Sequence, residues 1–378
     1  MDSKPIPRPD NCGRIALVLQ GGGALGAYQG GVYQGLHEAG LEPDWVCGVS
    51  IGAVNAALIA GNKPQNRLAA LQEFWAKATS QALWPYTPDG DVFRQARNLM
   101  SSLSASIFGQ PGLFTPHAIN PWLLPAGNKD ATSFYDNSPL RRTLEGLVDI
   151  DLLNKGDVHF AVGAVNVASG NFVFFDNRQE EIHFEHIMAS GALPPAFPMV
   201  QIGGEYFWDG GIVSNTPLQH LLDQPDNLNS LVFQVDLFPA QGTPPRTMSE
   251  VLGRQKDIVY SSRTRQVTDM FARLQRWKRR AYEALKKIPD AALSDEDRKM
   301  LHDLADLPRA TILQLIYQKK SYEGSARDYE FSAASMHEHW NSGHEDTVRS
   351  LQRKDWLEIP PPAGGIVTHD VHRHYDGR

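Results

Sequence analysis

Three short stretches hold side chains whose type and spacing could do chemistry. In Gly48-Val49-Ser50-Ile51-Gly52 a serine stands between two glycines in the pattern G-x-S-x-G. A serine at the tip of a tight strand-to-helix turn has a strained backbone, and side chains on the flanking positions collide unless both are glycine. The hydroxyl is then presented at the carboxyl edge of a sheet, close to the positive end of the following helix, where a nucleophile belongs. Upstream, Gly21, Gly23 and Gly26 satisfy G-x-G-x-x-G. Downstream, Tyr206-Phe-Trp-Asp209-Gly210-Gly211 sets an aspartate at the end of an aromatic run, before two glycines that let the chain turn.

The glycine loop has two meanings. As a dinucleotide fingerprint it would require a carboxylate at the end of the second strand, to accept the ribose hydroxyls. That position holds the Ser50 turn, and no carboxylate follows Asp44 there. Beside a nucleophile the same loop serves as an oxyanion hole, because glycines let backbone N–H groups approach the tetrahedral oxyanion, each worth ~3 kcal/mol in the transition state. Gly22 and Gly23 are the expected donors, with Gly21 and Gly26 shaping the turn. A serine hydroxyl also needs a group to take its proton. His186 and His220 lie in segments of helical character, Phe184–Gly191 and Thr216–Leu222, and read as helix histidines with ordinary partners. Asp-Gly-Gly, taken alone, is a common turn.

The elements that must position these groups follow from the apolar pattern. Arg14–Gln20, which ends in glycines, and Asp44–Val49, which ends in the sharp turn at Ser50, are short apolar runs that read as buried strands, each followed by a helical segment, Ala27–Ala39 and Ile51–Ala60. Further strands are expected at Val158–Val167, Asn171–Phe175 and Ser230–Val235, and a helix at Ser138–Leu147. Strands alternating with helices predict an α/β fold of three layers, α/β/α, with a central, mainly parallel sheet. From Ala76 to Asp136 the chain is irregular, with Trp84, Pro85, Pro88, Phe108, Pro111, Phe114, Trp122 and Pro125; it reads either as a packed insertion with aromatic anchors or as a cover over the site.

The 378 residues are 42% hydrophobic and 21% charged, enough apolar residues to bury a large core. A net charge of −7 argues against bulk affinity for nucleic acid. Two cysteines, Cys12 and Cys47, fit a reducing compartment, and the apolar run Ile15–Leu19 is too short for a signal segment or a membrane span. A cytoplasmic protein is expected.

The three motifs taken in order, Gly21-Gly-Gly-Ala-Leu-Gly26, Gly48-Val-Ser-Ile-Gly52 and Asp209-Gly-Gly211, resemble those of the patatin-like phospholipases. Ala189-Ser-Gly-Ala-Leu-Pro-Pro-Ala-Phe-Pro198 is similar to the segment that precedes that family's aspartate, and Asn215-Thr-Pro217 to its Asn-x-Pro. The resemblance implies a patatin-like fold and a Ser-Asp dyad without histidine: Ser50 attacks an ester carbonyl, Asp209 takes and returns the proton, and the glycine loop holds the oxyanion. It implies a lipid or acyl-ester substrate and neither metal nor organic cofactor. Burial near Trp208 is expected to raise the proton affinity of Asp209. Family loops often carry Arg or Lys where this chain has Leu25, which directs the expectation toward lipid esters in general.

The resemblance covers about Arg14–Leu218, giving a catalytic domain over residues 1–243 and a helical C-terminal region over 244–378. In the latter, Met248–Ile288 reads as a long basic amphipathic helical stretch, with Val267, Phe271, Leu274 and Trp277 at helical spacing. Its apolar face either packs on the main domain or docks peripherally on an anionic membrane. His337-Glu-His339 and His344-Glu345 lack the H-E-x-x-H spacing of a zinc helix, so no metal is expected. His369, His372 and His374 read as a solvated terminus.

Overall fold

The run Arg-Ile-Ala-Leu-Val-Leu forms strand β1 (Arg14–Leu19), buried along its whole length because both of its faces are covered. In the computed structural model, which describes residues 5–79 and 98–372 apart from 99, 103, 106, 111, 225, 227, 306, 321 and 363, β1 lies near the middle of a nine-stranded sheet. After it come α1 (Ala27–Glu38), β2 (Trp45–Val49), α2 (Ile51–Ala60), α3 (Pro64–Ala78), α4 (Ser138–Leu147), β3 (His159–Asn166), β4 (Phe172–Asp176) and α5 (Phe184–Ser190). Then follow β5 (Val200–Ile202), β6 (Glu205–Asp209), α6 (Leu218–Leu222), β7 (Ser230–Asp236), α7 (Met248–Tyr260), α8 (Thr264–Leu285), α9 (Asp295–Ala305), β8 (Ala310–Ile316), α10 (Ala333–Leu351) and β9 (Ile366–Asp370). The sheet order is β9-β8-β7-β1-β2-β3-β6-β5, with β4 beside β3. Strands from β9 to β3 run parallel; β4, β5 and β6 supply the antiparallel pairs.

Successive side chains of a strand point to opposite faces, and β1 shows what each face meets. Ile15, Leu17 and Leu19 join the larger core with α1, α2 and α3, whereas Ala16 and Val18 join a smaller one with Leu218, Leu221, Val267 and Phe271 of α6 and α8. This is the three-layer α/β/α arrangement. All ten residues of α2 are buried, as expected of a helix that is apolar all round.

The region after residue 243 is helical and also adds two strands that the sequence reading did not single out. β8 pairs along the whole of β7, from Ala310 opposite Ser230 to Ile316 opposite Asp236, and β9 extends the edge. The sheet is therefore continuous across residues 243 and 244. Helix α10 is pressed onto α1 so closely that a Cβ on Gly31 would stand 1.8 Å from the Trp340 carbonyl oxygen, and one on Gly343 2.0 Å from that of Tyr28. Tyr28 donates to Asp346 (2.8 Å) and Trp340 Nε1 to Gln34 (2.6 Å) across the same contact.

The stretch Met248–Ile288 is two helices, broken at Ser261–Arg263, and they behave differently. α8 covers the second face of the sheet through Val267 and Phe271 alone, and leaves Met270, Leu274 and Trp277 exposed. α7 leaves Met248, Val251, Leu252, Ile258 and Val259 in solvent. The histidines near the C-terminus are not a solvated tail where they are described: His369 stacks on Trp356 and His372 reaches Asp346 (3.2 Å), because β9 has joined the sheet. His374 lies outside the described residues. His339 is buried against Glu323 (2.8 Å), His344 pairs with Glu38 (2.7 Å), and His337 is exposed, so these histidines do not converge.

Candidate active site

Strand β3 brings the serine and the aspartate together by register. β4 occupies one edge of β3 over residues 161–165, so β2 and β6 lie end to end along the other. Val49 stands opposite Gly163 and Asp209 opposite the next residue, Ala164. The chain leaves β2 through Ser50 at φ +57, ψ −125, a conformation a non-glycine residue adopts only when its surroundings impose it. They do so here: a Cβ on Gly48 would stand 2.2 Å from the Gly52 carbonyl oxygen, and one on Gly52 2.3 Å from that of Leu19. The glycines of G-x-S-x-G are thus required by backbone contact on both sides of the turn.

Ser50 and Asp209 line the same cleft, and the Asp209 carboxylate, 1% exposed, accepts from the Gly211 N–H at 2.7 Å. Burial pushes this carboxyl up from the usual 3.8 to about 7, against the opposing pull of the Ser50 hydroxyl and of the Gly211 N–H. The Ser50 N–H is held by Ser190, through its carbonyl (3.0 Å) and its Oγ (3.1 Å), and Ser190 Oγ in turn donates to the Gly163 carbonyl (2.7 Å).

The glycine loop passes over this pair. The Gly21 N–H is committed to the Asn215 carbonyl (3.4 Å), whereas among the described residues those of Gly22 and Gly23 meet no acceptor. Gly23 is left-handed at φ +56, and a Cβ there would lie 2.2 Å from the Asp328 carbonyl oxygen; the space over the loop that a pyrophosphate would need is filled by this chain. A Cβ on Gly26 would meet Ile51 at 2.6 Å. Leu25 is fully buried in the larger core and offers nothing to the cleft.

A buried polar network missed in the sequence reading fixes the loop. Gln20 donates to Thr216 Oγ1 (2.8 Å) and the Tyr260 carbonyl (2.9 Å) and accepts from the N–H groups of Leu237 (2.6 Å) and Phe238 (3.0 Å). Gln29 donates to the Gln20 carbonyl (2.6 Å), and Asn55 to Gln29 (2.8 Å) and the Gly26 carbonyl (3.0 Å). Asn215 Nδ2 ties the Gly21 carbonyl to that of Tyr260, both at 3.0 Å. The signal was present: Asn55 is the one polar side chain in α2, and Gln20 ends an apolar strand.

The cleft, of about 100 Å³, is lined by Gly21–Gly23, Ser50, Asp209 and Asn215 with Phe114, Phe197, Tyr260, Tyr329 and Phe331. Among the described residues no histidine lines it. His186 is buried on α5, where it accepts from the His183 N–H (2.8 Å), and burial together with His183 lowers it to about 4. His220 bonds Asp176 (3.0 Å) and stacks on Phe174. Of the irregular segment, Phe114 is buried and faces the cleft, Phe108 and Trp122 are exposed, and Trp84, Pro85, Pro88 and Pro111 lie outside the described residues.

An α/β/α sheet with a strained serine at the end of its second parallel strand defines the class, and comparison with known proteins places the chain in it. A family model described as patatin-like phospholipase matches residues 17–222, and one described as patatin phospholipase matches residues 258–363. The chain belongs to the patatin-like phospholipase family. It is 44% identical over 71 residues to patatin-like phospholipase domain-containing protein 6 of Homo sapiens, covering 19% of this chain and 5% of that protein. It is 42% identical over 62 residues to the triacylglycerol lipase ptl3 of Schizosaccharomyces pombe (16% and 13%), and 56% identical over 50 residues to the lysophospholipase nte1 of Aspergillus terreus (13% and 3%). The matched segments thus span at most 13% of these relatives' own length. Among solved structures, VipD from Legionella pneumophila aligns with a TM-score of 0.39 at 15% identity, covering 93% of this chain and 67% of that one.

Proposed function

We propose that this chain is a serine acyl hydrolase acting on carboxylic esters of lipids, with Ser50 as nucleophile and Asp209 as its proton acceptor. The observation that carries the reading is that Ser50, at the tip of a strained turn, lines the same cleft as a buried carboxyl that is pushed up to about 7. A carboxylate of ordinary acidity is a weak base; one held near neutrality has the proton affinity that general-base work at that pH requires. Ser50 Oγ attacks the ester carbonyl as its proton passes to Asp209, and the Gly22 and Gly23 N–H groups receive the oxyanion. Asp209 returns the proton to the departing alcohol. It then takes a proton from the water that cleaves the acyl-serine ester, and Ser50 is regenerated.

The acyl chain has a place to lie. A groove of about 530 Å³ shares Leu193, Gly211 and Tyr260 with the cleft and continues along Trp208, Ile212, Val213 and Val259. Ile212 and Val213 are half exposed, and Val259 belongs to the uncovered stripe of α7, in which Leu252 is 53% and Ile258 58% exposed. This contiguous apolar rim supports peripheral contact with a lipid surface through α7. Among the described residues no helix is long and apolar enough to cross a membrane.

Fluorophosphonates trap activated serines, so intact-mass analysis after such treatment tests the chemistry. One adduct is expected on the wild type and none on Ser50→Ala, with slower labelling of Asp209→Asn. A folded wild type that takes no label, with or without lipid present, would favour a lipid-binding or scaffold role instead.

A further inference from the structure

Part of the wall of the catalytic cleft comes from the C-terminal region. Tyr260, Asp328, Tyr329 and Phe331 line it together with Ser50 and Asp209. The segment around Asp328 is pinned against the oxyanion loop: Arg327 forms a buried pair with Asp257, and Lys256 bonds the Asp328 carboxylate (2.7 and 3.0 Å) and the Ser325 carbonyl (3.1 Å). The Asp328 carbonyl oxygen is the atom that a Cβ on Gly23 would meet at 2.2 Å. Tyr329 is the next residue, and the Lys256 ammonium lies 5.3 Å from the centroid of its ring. Tyr260 stands nearer Gly22: its ring packs on Phe238, 5.4 Å between centroids, and a Cβ on Gly22 would lie 3.2 Å from the Phe238 ring.

Most polar side chains of the cleft are committed. Asn215 Nδ2 holds two carbonyls, Asp209 accepts from the Gly211 N–H, and Asp328 is paired with Lys256. Besides Ser50, the side-chain donors of the cleft without a hydrogen-bond partner among the described residues are the phenols of Tyr260 and Tyr329. Both residues are half-buried, and neither hydroxyl is sealed from solvent. Burial, then the charges of Asp209 and Asp328, push the Tyr260 phenol up; burial, then Asp328 and after it Tyr260, Tyr135 and Asp209, act on Tyr329 in the same direction. Each is therefore a neutral donor at working pH. A donor that gives up water for a guest without an acceptor is left unmatched, so the guest of this cleft offers acceptors beyond the one held by the glycine loop. In an ester, the carbonyl oxygen goes to the loop and the alcohol oxygen remains.

The acyl groove tells the two phenols apart. Tyr260 lines both the cleft and the groove, whereas Tyr329 lines the cleft alone, with Phe114, Phe197 and Phe331. With the acyl chain in the groove, the alcohol half of the ester lies on the Tyr329 side. We infer that Tyr329 is a further catalytic residue, whose hydroxyl donates a hydrogen bond to the alcohol oxygen and stabilises the negative charge that gathers there as the C–O bond breaks. Tyr329 keeps its own proton; the proton that leaves with the alcohol is the one Asp209 took from Ser50, so the cycle stays balanced. The inference rests on the Ser50–Asp209 reading and on the acyl chain lying in the groove.

The help such a donor gives grows with the basicity of the departing oxygen. The test is therefore a series of esters with one acyl group, p-nitrophenyl, phenyl and ethyl butyrate, with kcat/KM measured for the wild type, Tyr329→Phe and Tyr260→Phe. Phenylalanine keeps the ring beside Lys256, and fluorophosphonate labelling of Ser50 verifies an intact site. Tyr329→Phe should lose roughly tenfold or more with ethyl butyrate and less than about threefold with p-nitrophenyl butyrate, the phenyl ester falling between them. Tyr260→Phe should show no such trend. A role in packing alone lowers all three esters alike. A loss equal across the series, or one that follows the leaving group in Tyr260→Phe instead, overturns the assignment. Turnover that survives Ser50→Ala is a separate result: it defeats the dyad on which the inference rests, whereas a flat series in an enzyme silenced by Ser50→Ala defeats the inference alone.

Discussion

The substitution Asp209→Asn separates the catalytic use of a buried carboxyl from its cost to the fold, and the structure gives both magnitudes. With its carboxyl at about 7, Asp209 is ionised above neutrality and protonated below, so the proposed role as base predicts that activity is lost as pH falls. At two pH units below that value about 1% of the molecules carry the base, a reduction of roughly 100-fold in kcat/KM. Stability runs the other way. Between the unfolded value near 3.8 and the folded value of about 7, the unfolded chain has released this proton and the native state still holds it, so native stability declines as pH rises through that window. At 1.36 kcal/mol per pH unit, the decline amounts to about 4 kcal/mol by pH 8 as an upper bound. Asparagine keeps an acceptor for the Gly211 N–H but carries no charge to bury. Urea unfolding at pH 4 and pH 8 should therefore show Asp209→Asn more stable than the wild type at pH 8 by a few kcal/mol, with the difference nearly absent at pH 4. The rates are read with p-nitrophenyl butyrate as a monomer from pH 5 to 9. The wild-type profile should reach half its plateau near 7, and the variant should lose at least a hundredfold. A half-point below about pH 5.5, or a stability difference independent of pH, would refute the reasoning, because either result would mean that Asp209 titrates as an ordinary carboxylate.

Other outcomes follow from the same geometry. Gly23→Ala places a Cβ 2.2 Å from the Asp328 carbonyl oxygen at φ +56, and kcat should fall by about 100-fold or more as the oxyanion donors shift, measured with the monomeric ester. Gln20→Leu leaves the Leu237 and Phe238 N–H groups without their acceptor and should cost ~2–4 kcal/mol in chemical denaturation, whereas Gln34→Ala at the α1–α10 contact should cost about 1 kcal/mol. Leu252→Glu/Ile258→Glu alters only exposed side chains, so monomeric ester turnover should be unchanged while flotation with phosphatidylcholine vesicles drops several-fold; vesicle binding that persists would exclude α7 as the contact. Ser190→Ala removes the side-chain acceptor for the Ser50 N–H and should lower kcat by about tenfold, with little change in KM.

The local elements of the catalytic half were legible because their signals are local. A five-residue apolar run, Ile15–Leu19, that leads through Gln20 into glycines specifies β1, and G-x-S-x-G specifies the turn at Ser50, where steric contact between near neighbours leaves no alternative. Even the family could be read, since three short motifs occur in order. What stood outside reach were relations between distant residues. Asn215 reads as the first residue of the Asn-x-Pro motif, yet it joins the Gly21 and Tyr260 carbonyls 194 and 45 positions away. The meeting of Ser50 and Asp209 depends on β2 and β6 sharing one edge of β3, a register that no stretch of chain encodes by itself.

The C-terminal third divides along the same line. Its helical periodicity was evident, but of the stripe along α8 only Val267 and Phe271 cover the sheet, whereas Met270, Leu274 and Trp277, like the stripe of α7, stay open. An apolar stripe states only that something must cover it, not what. Strand β8, Ala-Thr-Ile-Leu-Gln-Leu-Ile, becomes a strand because β7 offers it an unpaired edge. The proton affinity of Asp209 was anticipated from its aromatic neighbours, but its value belongs to the fold, because burial is a property of everything that surrounds the carboxyl. The sequence therefore determined which groups could react and the turns that hold them, through contacts between near neighbours. The tertiary structure alone decided their distance, their solvation and the chamber beside them, because those are set where distant segments pack.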